Sequence, residues 1–188
     1  WDRSAESTQD KYMGNITNGA DLYDFEGYKI YRATDFEFND AYNITDGDGN
    51  PTFLEPYVQN GVRAQWDLVD GKSGWHPVDL NGIKFYLGDD TGLTHSYVDH
   101  NVVNGQRYYY AVVSYDYGGD LSNNIIPSDS PMKLRVNPLT GAVSLGPNVV
   151  EVVPSPPSAG FVDASFAGDQ VDHVLGASSG EVFLEIVD

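Results

Sequence analysis

The stretch Asp99-His100-Asn101-Val102-Val103-Asn104-Gly105-Gln106-Arg107-Tyr108-Tyr109-Tyr110-Ala111-Val112 decides the fold class. An apolar residue is followed two and three positions later by Asn-Gly, at six by Tyr and at ten by Val. That spacing describes a strand, a corner and a second strand. Val102 is placed to plug the core at the corner, and Asn104-Gly105 to make a tight turn, because both residues tolerate positive φ. Tyr108 opens the next strand, where its hydroxyl can reach back to a backbone group at the corner. By the two-residue period of a strand, Tyr110 and Val112 share its face.

Outward from this unit, the other apolar segments are also short, aromatic or β-branched, and bounded by Gly, Asn, Asp or Pro. That is the pattern of an antiparallel β protein. Tyr28-Lys29-Ile30-Tyr31-Arg32 alternates. Residues 82–87 form a strand that ends in the turn signal Gly88-Asp89-Asp90-Thr91-Gly92, and Tyr97-Val98 begins another. The longest strand spans 107–116, and shorter ones are expected at 132–136 and 149–153. Pro154-Ser155-Pro156-Pro157-Ser158-Ala159-Gly160 reads as a stiff linker without sheet donors. Beyond it, 171–175 and 181–187 read as a hairpin, which alone is marginal in water.

Composition narrows the function classes. The 188 residues carry 28 Asp+Glu against 10 Lys+Arg, a formal charge of −18, with no compensating basic stripe. Such a surface repels phosphate backbones and argues against nucleic acid as a partner; cations, or partners carrying them, are its complement. With 40% hydrophobic residues the chain can build a core, and 20 Gly with 10 Pro call for many turns. There is no cysteine, so disulfides, thiol catalysis and Cys-ligated zinc are excluded. No apolar run approaches the ~20 residues of a membrane-spanning helix.

The strand-corner-strand unit resembles that of a fibronectin type III-like domain. Within that resemblance, Asp24-Phe25-Glu26-Gly27-Tyr28-Lys29-Ile30-Tyr31-Arg32 is similar to strand C, Tyr97-Val98-Asp99 to strand E and 108–115 to strand F. Ser130-Pro131-Met132-Lys133-Leu134-Arg135-Val136 is similar to strand G. Trp1 would close strand B, and Trp1, Tyr28, Val102, Gly105, Tyr108, Tyr110 and Val112 would be the structural residues. The phrases 25–32, 85–93 and 108–116 further resemble domains of large secreted or cell-surface proteins of Bacteroidota-like bacteria, many exported by the type IX system. The resemblance implies an all-β, immunoglobulin-like sandwich over 1–137, then a strand plus Pro-rich linker at 138–160, and the start of a second β module or docking hairpin at 161–188.

Two departures from that pattern carry expectations. Strand A and most of strand B would precede Trp1, lying in a preceding segment or being supplied by another chain. The second departure is 35–94, a long insert between strands C and E. Connections of that length have structure or function of their own. On strand F, Tyr109, Ala111, Val113 and Tyr115 face away from the expected core, with Tyr31 beside them. That face is too apolar for open water, so the insert is expected to fold over it, the alternative being a partner surface.

Few residues suggest chemistry. Asp46, Asp48 and Asn50 place oxygens at alternate positions, as calcium loops do. An EF-hand is rejected, because Pro51 and Tyr57 stand where Gly and Glu would be needed; a polar, Gly-rich turn is the preferred reading of the stretch. Trp66 and Trp75 could stack on sugars or anchor the insert. His95 and His100 bracket strand E on opposite faces and cannot easily share an ion, and His76 and His173 lack ligand-spaced neighbours. No nucleophile elbow, zincin helix or phosphate loop occurs. Asn15-Ile16-Thr17 and Asn43-Ile44-Thr45 have the form of glycosylation sequons. The expected function is therefore a non-catalytic structural, spacer and interaction module of a large extracellular or cell-surface bacterial protein. Its partners would be neighbouring domains or other subunits. The alternatives are a calcium-assisted carbohydrate- or ligand-binding module, with calcium the one candidate cofactor, and an assembly subunit completed by strand exchange.

Overall fold

A computed structural model describes residues 1–157 and 160, except 42 and 133. One compact unit spans Trp1–Pro154. The hairpin expected at 161–188, with His173, lies outside the described residues. After a 3₁₀ turn (Ser4–Ser7) and a short helix α1 (Lys11–Ile16), the strands follow in this order: β1 (Phe25–Ala33), β2 (Asn43–Thr45), β3 (Pro51–Leu54), β4 (Val58–Gln59), β5 (Val62–Arg63), β6 (Gln65–Asp67), β7 (Trp75–Leu80), β8 (Ile83–Tyr86), β9 (Tyr108–Asp116), β10 (Leu134–Val136), β11 (Val143–Leu145) and β12 (Val149–Val152). The protein is all-β, built on a four-stranded antiparallel sheet of order β12-β9-β1-β6. β2-β3, β4-β5, β7-β8 and β10-β11 are separate two-stranded hairpins.

The pairing of β1 with β9 sets the two faces of the sheet. Tyr31 lies opposite Ala111, Lys29 opposite Val113 and Gly27 opposite Tyr115; Tyr28, Ile30 and Arg32 lie opposite Ser114, Val112 and Tyr110. Gly27 permits the first set to close up, because a Cβ there would sit 2.7 Å from Tyr115 Oη and 2.2 Å from the Trp66 carbonyl. The first face is the deepest core of the described residues. Tyr31, Ala111 and Val113 are essentially inaccessible, under Phe36, Phe38, Ala41 and Leu54 of the insert, while Tyr115 packs with Phe53, Phe85 and Leu87. The insert thus folds over the face that the sequence marks as too apolar for water. The sequence also makes Tyr108, Tyr110 and Val112 the core face, and here the structure differs. Tyr108 is buried, but Tyr110 and Val112 are half-buried, and so is Val102.

The corner itself forms as its spacing requires. Gly105 takes φ 83°, Gln106 N–H donates to the Val103 carbonyl, and Val103 N–H donates to Tyr108 Oη at 3.0 Å. Strand E does not form: residues 97–100 have no strand pairing. The segment is fastened by side chains instead. The Asp99 carboxylate accepts from Arg32 Nη1 (2.8 Å), Tyr110 Oη (2.7 Å), Tyr57 Oη (3.2 Å) and Asn101 N–H (2.8 Å). Trp1 does not close a strand either. It lies in coil, its ring packed on Tyr28 and Trp66, and the chain then turns through the 3₁₀ segment into α1, whose N-terminus Asp10 caps.

The strand beside β9 departs from the expected 130–136. Ser130 N–H donates to the Ser114 carbonyl and Asp129 bridges to Tyr115, but the chain leaves the sheet at Pro131. It makes the β10-β11 hairpin and returns at Asn148, whose carbonyl accepts from Val112 N–H. Val149–Val152 then continue the same antiparallel line against Ala111–Tyr108. The compact unit therefore extends past 137 to include 138–154. Proline, which has no N–H for the ladder, explains where the line breaks.

Candidate functional site

The candidate calcium residues lie in the five-residue loop between β2 and β3. Asp46 Oδ1 accepts from Asp48 N–H, Asn50 N–H and Asn50 Nδ2, and Oδ2 also accepts from Asn50 Nδ2. Those bonds, with Asn50 foremost, hold the Asp46 carboxyl below its ordinary pKa. Its oxygens close the hairpin, as an Asx turn does. Among the described residues no three His, Asp or Glu side chains form a group suited to a metal ion.

The two tryptophans of the insert separate. Trp75 is 58% exposed on β7, its ring 5.0 Å from Tyr86. Trp66 is half-buried on β6, the edge strand of the sheet, 5.5 Å from Tyr97 and 5.7 Å from Trp1. Trp66 lines a cleft of about 670 Å³ shared with Gln65, Tyr86, Tyr97, Arg63 and Asp89. That volume suits a small-molecule ligand.

Each wall of the cleft is held by local structure. Arg63 is on β5, reached from β4 through the two-residue turn Asn60-Gly61, both at positive φ. Tyr86 is on β8, reached from β7 through Asn81-Gly82 in the same conformation. These are type I′ hairpin signals that the sequence reading leaves unused. Arg63 Nε bonds Glu55 Oε1 at 2.7 Å, and its guanidinium lies over the Tyr86 ring. Tyr86 Oη donates to Asp89, and that bond first, with burial second, pushes the phenol up to about 12. Asp67, fully buried, accepts from Asp90 N–H, Thr91 N–H and Thr91 Oγ1, which fixes the loop 88–91 against β6.

Two polar atoms in this wall stand without partners. Gln65 Nε2 lies within hydrogen-bond distance of the Tyr86 and Leu87 carbonyls and of Tyr115 Oη, three acceptors for its two N–H groups, so the amide is locked, yet its Oε1 is buried and unpaired. Tyr97 Oη is likewise buried and unpaired, and burial raises its pKa. Each such atom costs about 1–3 kcal/mol until something bonds it. Neither residue stands out in the sequence, since Gln65 and Tyr97 become neighbours of Trp66 only through the hairpins. His76, which the sequence marks only by its lack of ligand-spaced neighbours, is a packing residue. Fully buried, its Nδ1 accepts from Val78 N–H and its Nε2 donates to the Gly119 carbonyl, so it ties β7 to the loop after β9. His95 packs on Trp1 and Tyr28 and bonds Glu6. No protein-family model, no curated protein and no solved structure matches the chain. Among the described residues no helix is long and apolar enough to cross a membrane.

Proposed function

We propose that the chain is a non-catalytic recognition and spacer module of a larger extracellular or cell-surface bacterial protein, and that it binds carbohydrate in the Trp66 cleft. The observation that carries this is that Gln65 and Tyr97, which line one aromatic-walled cleft with Trp66, each keep a buried polar atom without a partner. A sugar ring presents an apolar face for Trp66 and hydroxyls that both donate and accept, which is what a lone carbonyl oxygen and a lone phenol need. The extracellular module reading rests on the resemblance to fibronectin type III-like domains. The order β12-β9-β1-β6 supports it, being the order of strands G, F, C and C′ in one sheet of immunoglobulin-like sandwiches. The reading is calcium-independent, because the Asp46 carboxylate is already engaged.

Titrating the chain with a panel of neutral oligosaccharides, read by tryptophan fluorescence, tests it. At least one should bind; Trp66→Ala should weaken it tenfold or more, and Trp75→Ala by less than threefold. Loss through Trp75→Ala alone, or no binding across the panel, would refute the cleft. A melting temperature that moves with calcium and returns with chelator would instead restore the calcium-assisted version.

A further inference from the structure

A second cavity, of about 520 Å³, shares no residue with the sugar cleft: it is lined by Asp10, Asp24, Phe25, Asp116, Asp129 and Pro131, among others. Three of its four aspartates have their oxygens engaged. Asp10 Oδ1 caps α1 through Tyr12 N–H and Met13 N–H. Asp116 accepts from Ser128 N–H and Ser128 Oγ. Asp129 accepts from Lys29 Nζ at 3.2 Å and Tyr31 Oη at 2.5 Å. Asp24 is different: the residue is 7% exposed, and its Oδ2 is buried without any partner. Burial first, then Asp116 and Asp10, push its carboxyl up to about 6, so at neutral pH it is ionised against its surroundings. Such a group is stabilised by a cation.

The kind of cation follows from the walls. A hard metal ion needs six or more converging oxygens, and no three carboxylates here form such a group. The cavity is too wide for a bare ion, and Ala5, Phe25 and Pro131 give it apolar walls. A planar, weakly hydrated guanidinium fits both features. It can donate to one carboxylate through parallel N–H groups while its face lies on an aromatic ring. We infer that the Asp24 cavity is a binding site for a guanidinium group, with Asp24 as the paired carboxylate and Phe25 as the apolar wall. The group can arrive on a free amine such as agmatine or on an arginine side chain of a partner. Lys11 also lines the cavity, but it is solvent-exposed and makes no ion pair with Asp24.

Two-dimensional ¹H–¹⁵N NMR of the whole chain, titrated with agmatine at constant ionic strength, tests the site. Shifts should concentrate at 24–25, 116 and 128–129, and an arginine-containing tripeptide should move the same amides. Asp24→Asn should abolish the response at least tenfold while raising the thermal stability of the free chain at pH 7.5, which shows that the variant folds. Trp66→Ala should leave the response intact, which separates this site from the sugar cleft. Binding should weaken below pH 6, as Asp24 takes up a proton in the field of Asp10, Asp21 and Asp116. Calcium moving the same amides at lower concentration than agmatine would overturn the assignment, as would an unchanged response in Asp24→Asn or no response to either guanidinium probe.

Discussion

The two faces of the β1-β9 pair are closed by different physics. On one, Tyr31, Ala111, Val113 and Tyr115 lie under aromatic and aliphatic side chains of the insert, and even Lys29 is taken in, its Nζ 3.6 Å from the Phe85 ring centre and bonded to Asp129. On the other, Tyr28 is covered by Trp1 and His95, while a polar clasp at Asp99 ties down the next segment. Between them a groove of about 480 Å³ leaves Tyr110 and Val112 half-buried. A strand whose two faces are both apolar carries no label saying which is core. The label comes from the element that supplies a matching apolar surface, and here that is the insert. Burying a large apolar side chain fully is worth about 1.5–3 kcal/mol, so the insert's lid outweighs what loops and clasps contribute on the other side.

The covered side also buries charge, and the largest expected effect tests how completely. Glu26 is fully buried with both carboxylate oxygens unpaired. Burial, followed by Asp70, pushes it up to about 8 from 4.5, and its neighbours Asp67, Asp70, Lys72 and Asp90 all come from the insert. A carboxyl raised in the fold is neutral there while the unfolded chain has already ionised. Stability is therefore full below pH 4.5 and is lost as pH rises through 8. Glu26→Gln removes that titration. Urea midpoints should nearly coincide at pH 4.5, and by pH 9 the variant should be the more stable by roughly 3 kcal/mol. Parallel pH profiles would mean that water reaches Glu26 and that the insert's closure is incomplete.

Val113 and Val112 are adjacent on β9 and point to opposite faces, so the same substitution reads both. Val113 is 1% exposed under the insert; Val112 lines the open groove. Val113→Ala should cost about 2 kcal/mol, the transfer of the lost methyls plus a cavity. Val112→Ala should cost less than about 1 kcal/mol, because water or a side-chain shift fills the space. Equal costs in chemical denaturation would erase the distinction between the faces.

These outcomes bear on what the sequence carries. Local rules did well wherever one short segment decides: the 108–116 strand, the Asn104-Gly105 corner and its tyrosine, and the need to cover Tyr109, Ala111, Val113 and Tyr115. They failed wherever a partner decides. Tyr97-Val98 has strand character, but no strand among the described residues pairs with it, and Asp99 gathers donors that fasten the segment as coil. The 130–136 strand breaks at Pro131 because a hairpin interrupts the line that β12 completes. Asn60-Gly61 and Asn81-Gly82 carried a readable hairpin signal that would have placed Arg63 and Tyr86. Gln65 and Tyr97 carried none, because an unpaired atom is a property of the finished packing.

A similarly small effect is expected at the corner on the open side, where a single hydrogen bond stands in for a covering layer. Tyr108 Oη accepts Val103 N–H at 3.0 Å, while the Val103 side chain is largely in water. Tyr108→Phe keeps the ring and removes only the acceptor, so the amide is left to water rather than to a dry interior. That holds the cost to about 1 kcal/mol, the net worth of one ordinary hydrogen bond. Hydrogen exchange distinguishes this from a general loss of stability. The Val103 and Gln106 amides should exchange faster in the variant, while those of Ala111 and Val113, under the insert, should change only by the global amount. If the central amides of β9 loosened beyond it, the corner would be holding the covered face as well, and the two sides of the sheet would form one cooperative unit.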